Sequence, residues 1–316
     1  MIALAGNWLP HLLQALWQNT AAALIVLALL RLLRDASPRL RHAIVLVALL
    51  KFAIPPMLPL PTGLFTAAPP APSIEPVRGA VIALMTSARP LVLALMLVHL
   101  GGIMFALARL ALEALRLHCI RRRATALGEG IFVTNEIAVP MTTGRAVLIP
   151  RALAAALTRA QLADVICHER EHVRRRDVLL NWLQELVIAV WWFHPLIHLL
   201  GREARTLREE CCDDALLASG TCESAHYART LLEAAAFAGR PQLAAAAIAE
   251  SHDALLRRIR RMADRRSLPS QRLSAAAIAL VALLALTLLP GLRISAANRV
   301  AFDDGMFAAL RHTHRH

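Results

Sequence analysis

The sequence is poor in acidic residues and lacks two features that mark common protein classes. Its 316 residues include 22 Asp and Glu against 35 Lys and Arg, which gives a formal net charge of +13. Its five cysteines form no C-x-x-C pair, which excludes the common redox and paired-cysteine metal motifs. No charged residue precedes the first long apolar run, so the N-terminus does not match a secretory signal peptide with a basic n-region.

What the chain has in excess is apolar residues, and they occur in long runs. Hydrophobic residues make up 57% of the sequence, whereas a soluble domain is about 45–50% apolar. Four runs approach the roughly 20 residues that a membrane-spanning helix needs. The second run is the weakest, because Lys51 lies in its middle and Pro55 and Pro56 interrupt it. The four predicted spans cover residues 11–33, 43–60, 91–110 and 273–292.

Lys51 has two interpretations. A charge inside a membrane span is by default a candidate functional group. Lys51 can instead pair with a polar side chain of the first span, such as Gln18 or Asn19, or the second span is short and Lys51 lies near its rim. We expect a structural role for this side chain.

Clusters of arginine flank the predicted spans and indicate their orientation. They follow the first and third spans and precede the fourth, whereas the Pro-rich loop at 61–90 carries only two arginines. The positive-inside rule then places residues 117–270 in the cytoplasm and both chain ends outside. Contact with anionic lipid explains the basic charge without nucleic acid. All five cysteines fall in this reducing compartment, and we interpret the adjacent Cys211 and Cys212 as packing residues.

The cytoplasmic region mixes short strand-like runs with helices. Residues 130–150 are rich in β-branched residues and are punctuated by Pro and Gly, which indicates strands. Residues 151–177 indicate helix, with Thr158 as N-cap and Gln161 three residues later. Residues 178–200 indicate a further helix, broken near Pro195. It either lies against the membrane surface or the domain core, which we favour, or forms a fifth span.

The stretch VICHEREHVRRRD contains the spacing H-E-x-x-H. On a helix, His168 and His172 are at positions i and i+4 and share one face, so both can bind one metal ion. Glu169, beside the first ligand, can act on the attacking water as general base. The alternative is a surface helix with two scattered histidines.

A second acidic segment supplies what this motif lacks. Catalytic zinc takes three protein ligands and keeps a fourth position open. In RTLREECCDDALL, Glu209 and Asp213 are again i and i+4 on a predicted helix. Glu209 can provide the third ligand, and Asp213 can accept the other N–H of a ligand histidine and so fix its orientation. Alone, this segment would be interpreted as a solvated acidic helix end.

Several stretches together resemble the integral-membrane zinc metallopeptidases of the BlaR/MecR type, the antirepressors of β-lactam antibiotic resistance. The resemblance covers most of the chain, including three spans before the peptidase domain and one after it. The stretches that carry it are IAVPMTTGRAVLIP, QLADVICHEREHVRRRDVLLNWLQ, WWFHP, LREECCDDALL and HYARTLL.

The resemblance implies a role for each matched residue. His168, His172 and Glu209 would bind Zn2+, Glu169 would be the general base, and Asp213 would support a ligand from behind. His226 or Tyr227 would be a candidate to stabilise the transition state. His194 is expected to be structural, and Asp177 either supports the site or pairs with an arginine such as Arg174.

The predicted fold is mainly α and integral to the membrane, with a cytoplasmic gluzincin-like α+β zinc peptidase domain between the third and fourth of about four transmembrane helices. We expect a bacterial inner-membrane protease that cleaves a cytoplasmic, repressor-like regulator and also its own chain in transmembrane signalling. A housekeeping quality-control protease and a non-enzymatic signal transducer are the alternatives. The family's penicillin-binding sensor domain is expected to be absent. The predicted regions are 1–116 (three spans and an external loop), 117–270 (peptidase domain), 271–292 (fourth span) and 293–316 (external tail).

Overall fold

The protein is mostly helical, with one small sheet. The computed structural model describes residues 2–54, 89–238, 252–263 and 273–289. Within these ranges the helices are α1 (Ile2–Leu32), α2 (Pro38–Ala53), α3 (Arg89–Arg123), α4 (Arg151–Ala156), α5 (Arg159–Arg175), α6 (Asp177–Val190), α7 (Pro195–Ala218), α8 (Ser224–Ala238), α9 (His252–Ala263) and α10 (Ala275–Leu288). The strands are β1 (Thr125–Gly128), β2 (Ile131–Thr134), β3 (Met141–Thr143) and β4 (Ala146–Pro150).

Two helices in the described part of the chain are long and apolar enough to cross a membrane. They are His11–Leu32 within α1, with 22 residues, and Pro90–Arg123 within α3, with 34 residues. At 1.5 Å per residue, both exceed the roughly 30 Å of a bilayer core. The helices α2 and α10 have 16 and 14 residues. The rest of the predicted second and fourth spans lies outside the described residues, and the number of four spans stays a prediction.

Helix α2 lies at the centre of a helical bundle, packed against α1, α7 and α10. Its residues Ile44, Val45 and Ala48 are fully buried. Lys51 is buried as well, and its Nζ donates to Gln18 Oε1 at 3.2 Å and to the main-chain oxygen of Leu289 at 3.3 Å. The predicted pairing with the first helix is therefore confirmed, and the same ammonium group also contacts the C-terminal end of α10.

Helix α3 continues past residue 116 to Arg123 and leads directly into the sheet. The strand order is β1-β2-β4-β3, with β2 and β4 parallel and the two outer pairs antiparallel. Strand β4 is buried along its whole length. Since side chains alternate across a sheet, Leu148 packs on Ile120 of α3, while Val147 and Ile149 pack on the side of α5.

The helix that carries the H-E-x-x-H motif has a defined start and an abrupt end. Thr158 and Gln161 form the predicted capping box. The helix ends at Arg176, whose left-handed backbone (φ 57°) turns the chain directly into α6. Helix α6 stops at Val190, and Pro195 begins α7. Residues 178–200 therefore form parts of two helices, and no continuous fifth span runs through them.

Candidate metal centre

Three predicted ligand residues converge between α5 and α7. His168 and His172 lie one turn apart, with ring centroids 4.9 Å apart. Glu209 of α7 points at both rings: its Oε2 lies 3.3 Å from His168 Nε2, and its Oε1 lies 3.6 Å from His172 Nε2. The His168 side chain is 9% exposed and that of His172 is 12% exposed, so the ligand atoms are largely shielded from water.

These distances fit a tetrahedral zinc site. Zinc bonds to nitrogen and oxygen are about 2.0–2.1 Å long, which puts two ligand atoms of a tetrahedron about 3.4 Å apart. The two Glu209 contacts are close to this length, at 3.3 and 3.6 Å, but they use different carboxylate oxygens, Oε2 toward His168 and Oε1 toward His172. Coordination through a single oxygen would therefore require the carboxylate to rotate. In both histidines the Nε2 atom faces the shared point, which leaves Nδ1 for a supporting partner. The residues present therefore fit the metal that the motif implies.

His172 is held from behind by Asp177. Its Nδ1 lies 2.9 Å from Asp177 Oδ2, and the Asp177 side chain is 3% exposed. The left-handed turn at Arg176 makes this contact possible, because it returns the first residue of α6 toward the end of α5. Asp177 also accepts from Arg175 Nε at 3.3 Å. Asp177 thus contacts both a ligand histidine and an arginine, the two alternatives predicted for it. The arginine is Arg175 and not Arg174, which pairs with Glu171.

His168 is held by Tyr227, with Asp213 one step further back. The Tyr227 hydroxyl lies 2.8 Å from His168 Nδ1 and donates to Asp213 Oδ1 at 2.7 Å. Asp213 itself is 3.4 Å from the same Nδ1. The spacing of Glu209 and Asp213 predicts that Asp213 accepts directly from a ligand histidine. In the structure the shorter contact belongs to the fully buried Tyr227, which links the ring to the carboxylate.

Asp213 is neutralised by an arginine from a distant segment. Arg258 of α9 donates from Nε to Asp213 Oδ2 at 2.7 Å and from a terminal nitrogen to Oδ1 at 2.8 Å. Another of its nitrogens lies 3.7 Å from Glu209 Oε2. The side chains of Arg258 and Asp213 are 5% and 4% exposed. A buried carboxylate needs such a partner to remain ionised.

The general-base candidate Glu169 is buried and anchored. Its carboxylate lies within 4.8 Å of the ligand atoms of His168 and His172. Thr142 Oγ1 on strand β3 lies 2.8 Å from Glu169 Oε2 and 3.1 Å from the main-chain oxygen of the same residue. Thr142 was not predicted from the sequence. The PMTTG stretch that contains it offers no spacing relation to the motif helix.

Charge coupling shapes the ligand pKa values. Burial raises the pKa of Glu209, but the neighbouring His172 and His168 outweigh burial and hold that pKa well below its usual range. Burial lowers the pKa of His168, but hydrogen bonds with Asp213 and Glu209 outweigh it and raise the pKa. The pKa of His172 is raised well above 6.5 because Glu209 and Asp177 outweigh its burial. In the absence of a metal ion, Glu209 and the two histidines therefore favour each other's charged forms.

The other candidate residues have roles away from the metal ligands' shared point. Tyr227 contacts the Nδ1 side of His168, and His226 Nε2 lies 3.2 Å from Asp164 Oδ2. His194 is buried in the bundle with its Nε2 3.0 Å from Thr20 Oγ1, so the predicted structural role is confirmed. Cys212 is fully buried, as a packing residue should be, and its Sγ also lies 3.3 Å from His172 Nδ1.

The sequence of this chain is similar to that of a known peptidase family. The profile of the family described as BlaR1 peptidase M56 matches residues 10–262. That range runs from α1 into α9 and includes every residue assigned to the site above. The chain is also similar to the regulatory protein BlaR1 of Bacillus licheniformis, with 40% identity over 57 residues. The aligned stretch covers 18% of this chain and 10% of the length of that relative.

Proposed function

The chain belongs to the BlaR1 peptidase M56 family, and we propose that it is an integral-membrane zinc endopeptidase. The observation that carries the proposal is the convergence of His168, His172 and Glu209 beside the buried Glu169. Two imidazoles and one carboxylate are a donor set of catalytic zinc sites, in which one coordination position stays open for water or substrate. Zinc bound there would polarise the scissile carbonyl and lower the pKa of the attacking water.

The protein's own residues then divide the work. Glu169 takes a proton from the attacking water while the water oxygen bonds to the scissile carbonyl carbon. Glu169 then delivers that proton to the leaving amine as the C–N bond breaks. Asp177 and Tyr227 fix the two ligand rings through their Nδ1 atoms, which keeps both Nε2 atoms directed at one point. Asp213 acts through Tyr227 and is kept ionised by Arg258.

The sheet beside the site suits an extended peptide. Strand β3 is the last strand of the sheet, paired with β4 on one side, and in the described residues no strand covers its other edge. An extended chain can add to such an edge through main-chain hydrogen bonds. Because Thr142 of this strand contacts Glu169, a peptide added there would lie beside the general base. This arrangement supports cleavage within a chain.

We place the enzyme in the bacterial inner membrane with its peptidase domain, residues 117–270, facing the cytoplasm. The candidate membrane helices α1 and α3 support the membrane placement. The arginines Arg121, Arg122 and Arg123 at the end of α3 support the orientation. The proposed layout keeps four spans, with residues 271–292 as the last and 293–316 outside.

The proposed substrate is a cytoplasmic, repressor-like regulator, and self-cleavage is a proposed second reaction. A cut within 257–263 has a structural requirement, because α9 is helical there and Arg257 and Arg258 are paired with Glu210 and Asp213 of α7. Peptidases of this kind act on extended chains, so α9 would have to leave α7 and unwind first.

The test is the substitution Glu169→Gln, with Glu171→Gln on the same helix as the matched control. Glu171 pairs with Arg174 of the same helix and has no role in the proposed chemistry, so its neutralisation leaves that chemistry intact. New protein N-termini are mapped across the whole proteome in cells that carry each form. We expect wild-type and Glu171→Gln cells to show the same defined set of cuts. In Glu169→Gln cells the rate at which these cuts form should be about 10²–10⁴-fold lower.

The pattern of cuts separates the alternatives. One cytoplasmic regulator stabilised in Glu169→Gln cells supports the proposal, and broad stabilisation of membrane proteins indicates a housekeeping protease instead. Cuts that persist unchanged in Glu169→Gln cells, in protein that retains about one zinc per chain, would refute the endopeptidase proposal and favour a non-enzymatic transducer.

A further inference from the structure

Strand β3 contains two adjacent threonines with contrasting surroundings. The hydroxyl of Thr142 contacts Glu169 at two points, its carboxylate Oε2 at 2.8 Å and its main-chain oxygen at 3.1 Å. The hydroxyl of Thr143 is buried and has no hydrogen-bond partner among the described residues. Since successive side chains of a strand point to opposite faces, only Thr142 is directed at the motif helix α5.

The Glu169 carboxylate depends on this single contact. In the described part of the chain, Thr142 is its one hydrogen-bond donor. A glutamate side chain has several rotatable bonds, and Glu169 is 7% exposed, so little water is available to hold it. Thr142 binds one carboxylate oxygen, Oε2, and leaves the other oxygen available to accept a proton from water.

The threonine itself is well fixed. Thr142 is paired in register with Val147 of β4, a strand that is buried throughout. Val147 in turn packs with side chains of α5, among them Leu162 and Ile166. The hydroxyl has one hydrogen, so the main-chain oxygen of Glu169 at 3.1 Å shares it with the closer carboxylate oxygen at 2.8 Å; this main-chain oxygen does not move with the glutamate side chain. The hydroxyl therefore has a defined position relative to the helix.

We propose that Thr142 is a positioning residue that sets the orientation of the general base Glu169. Strand β3 is also the outer strand at which, among the described residues, no other strand pairs, and where an extended peptide could add. One strand would therefore position both the substrate peptide and the general base. A misplacement of about 1 Å in a catalytic group can cost about 10²-fold in rate. This inference rests on the proposed peptidase function.

The experiment compares Thr142→Val with Thr142→Ser and Thr143→Val. Valine keeps the shape of threonine without the hydroxyl, serine keeps the hydroxyl, and Thr143→Val removes a hydroxyl that makes no hydrogen bond. The probe is a synthetic peptide of about 12 residues that spans the strongest Glu169-dependent cut found in cells. Full-length enzyme in detergent is assayed for kcat, KM and bound zinc.

We expect Thr142→Val to lower kcat by about 10- to 100-fold, the effect of one hydrogen bond to a charged group. KM and zinc content should stay at wild-type values, because within the described residues Thr142 hydrogen-bonds to Glu169 and to none of the proposed ligands His168, His172 and Glu209. Thr142→Ser should recover most of the rate, and Thr143→Val should match wild type.

A Thr142→Val enzyme with wild-type kcat, or a Thr142→Ser enzyme as slow as Thr142→Val, would overturn the inference. A fall of similar size in Thr143→Val would point to a general effect on the strand and would overturn it too. If wild-type and Glu169→Gln enzymes leave the same set of proteins intact, the proposed peptidase function is refuted. If wild type cleaves the peptide and Thr142→Val cleaves it equally fast, only the role of Thr142 is refuted. The two failures are thus distinguishable.

Discussion

Arg258→Ala should destabilise the protein far more than the loss of an ordinary surface arginine. Arg258 and Asp213 form a two-point ion pair at 2.7 and 2.8 Å, with side chains 5% and 4% exposed. Among the described residues, removing the arginine leaves a buried carboxylate with the Tyr227 hydroxyl at 2.7 Å and, more distantly, the His168 ring at 3.4 Å. Such a break costs about 3–5 kcal/mol. At about 2 °C per kcal/mol, the lower end of the range for 150–250 residues because this chain has 316, the unfolding midpoint should fall by about 6–10 °C.

The matched control is Arg174→Ala. Arg174 also makes a two-point pair, with Glu171, but the Arg174 side chain is 65% exposed and that of Glu171 is 12% exposed. Because water screens the guanidinium end of this pair, its loss should cost about 1 kcal/mol and change the midpoint by about 2 °C. Thermal unfolding of the purified proteins in one detergent, with zinc removed by chelation, measures both, because bound metal would add its own stabilisation.

A double variant separates charge from packing. Arg258→Met with Asp213→Asn removes both charges and retains an acceptor for Tyr227, and replacing a buried pair in this way is often nearly neutral. Its midpoint should therefore lie well above that of Arg258→Ala. Equal shifts in Arg258→Ala and Arg174→Ala, or a double variant at least as unstable as Arg258→Ala, would refute the reasoning.

Two further predictions concern zinc affinity, measured by competition with a chromophoric chelator. Tyr227→Phe should weaken zinc binding by about 10- to 100-fold, because it removes the group that holds His168 Nδ1; an unchanged affinity would contradict this role. Affinity should also fall as the pH drops through a range above 6.5, because carboxylates raise the pKa of His168 and His172 and protons then compete for the ligand nitrogens. In the metal-free protein the sign is opposite: stability from these raised pKa values is present below about 6.5 and is lost as the pH rises through them. An affinity that is flat between pH 8 and pH 6 would count against the second prediction.

The ligand residues were the part of the site most open to prediction from sequence. His168 and His172 are four residues apart on one helix, and so are Glu209 and Asp213, so helical periodicity alone puts each pair on one face. The structure brings His168, His172 and Glu209 together across two helices. The pairing of those two helices still required tertiary information, which the sequence analysis drew from the metal's need for a third ligand.

The supporting residues were not open to the same reasoning. Thr142, Tyr227 and Arg258 come from β3, α8 and α9, and no fixed spacing relates them to the motif helix. Tyr227 carried one weak signal, as the single tyrosine of the chain inside the HYARTLL stretch. From the sequence, Tyr227 was a candidate to stabilise the transition state. In the structure its hydroxyl contacts the Nδ1 side of His168, away from the metal position.

The count of membrane spans exposes a limit of hydropathy. Helix α2 is apolar, yet Ile44, Val45 and Ala48 are fully buried against other helices of the same chain. Composition does not distinguish a side chain that faces lipid from one that faces protein, since both environments favour the same residues. Helix α3 is different, because only 6% of the residues in its most apolar 18-residue stretch are buried within the described protein. This is the pattern expected of a helix exposed to lipid.

Helix α7 contributes both to the hydrophobic core around α1 and α2 and to the candidate metal centre. Its first half, including Ile197 and Leu200, lies in the same hydrophobic core as α1 and α2. Its second half carries Glu209 and Asp213, about 18 Å further along the axis at 1.5 Å per residue. One continuous helix therefore joins the core shared with the membrane region to the metal ligands. Arg41 of α2 adds a second contact, through Glu203, which lies between Leu200 and Glu209 in the chain and is also bound by Arg257 of α9. The packing of α2 on α7 and the position of Glu209 therefore depend on one helix of 24 residues, which has no proline beyond its first turn at which to kink.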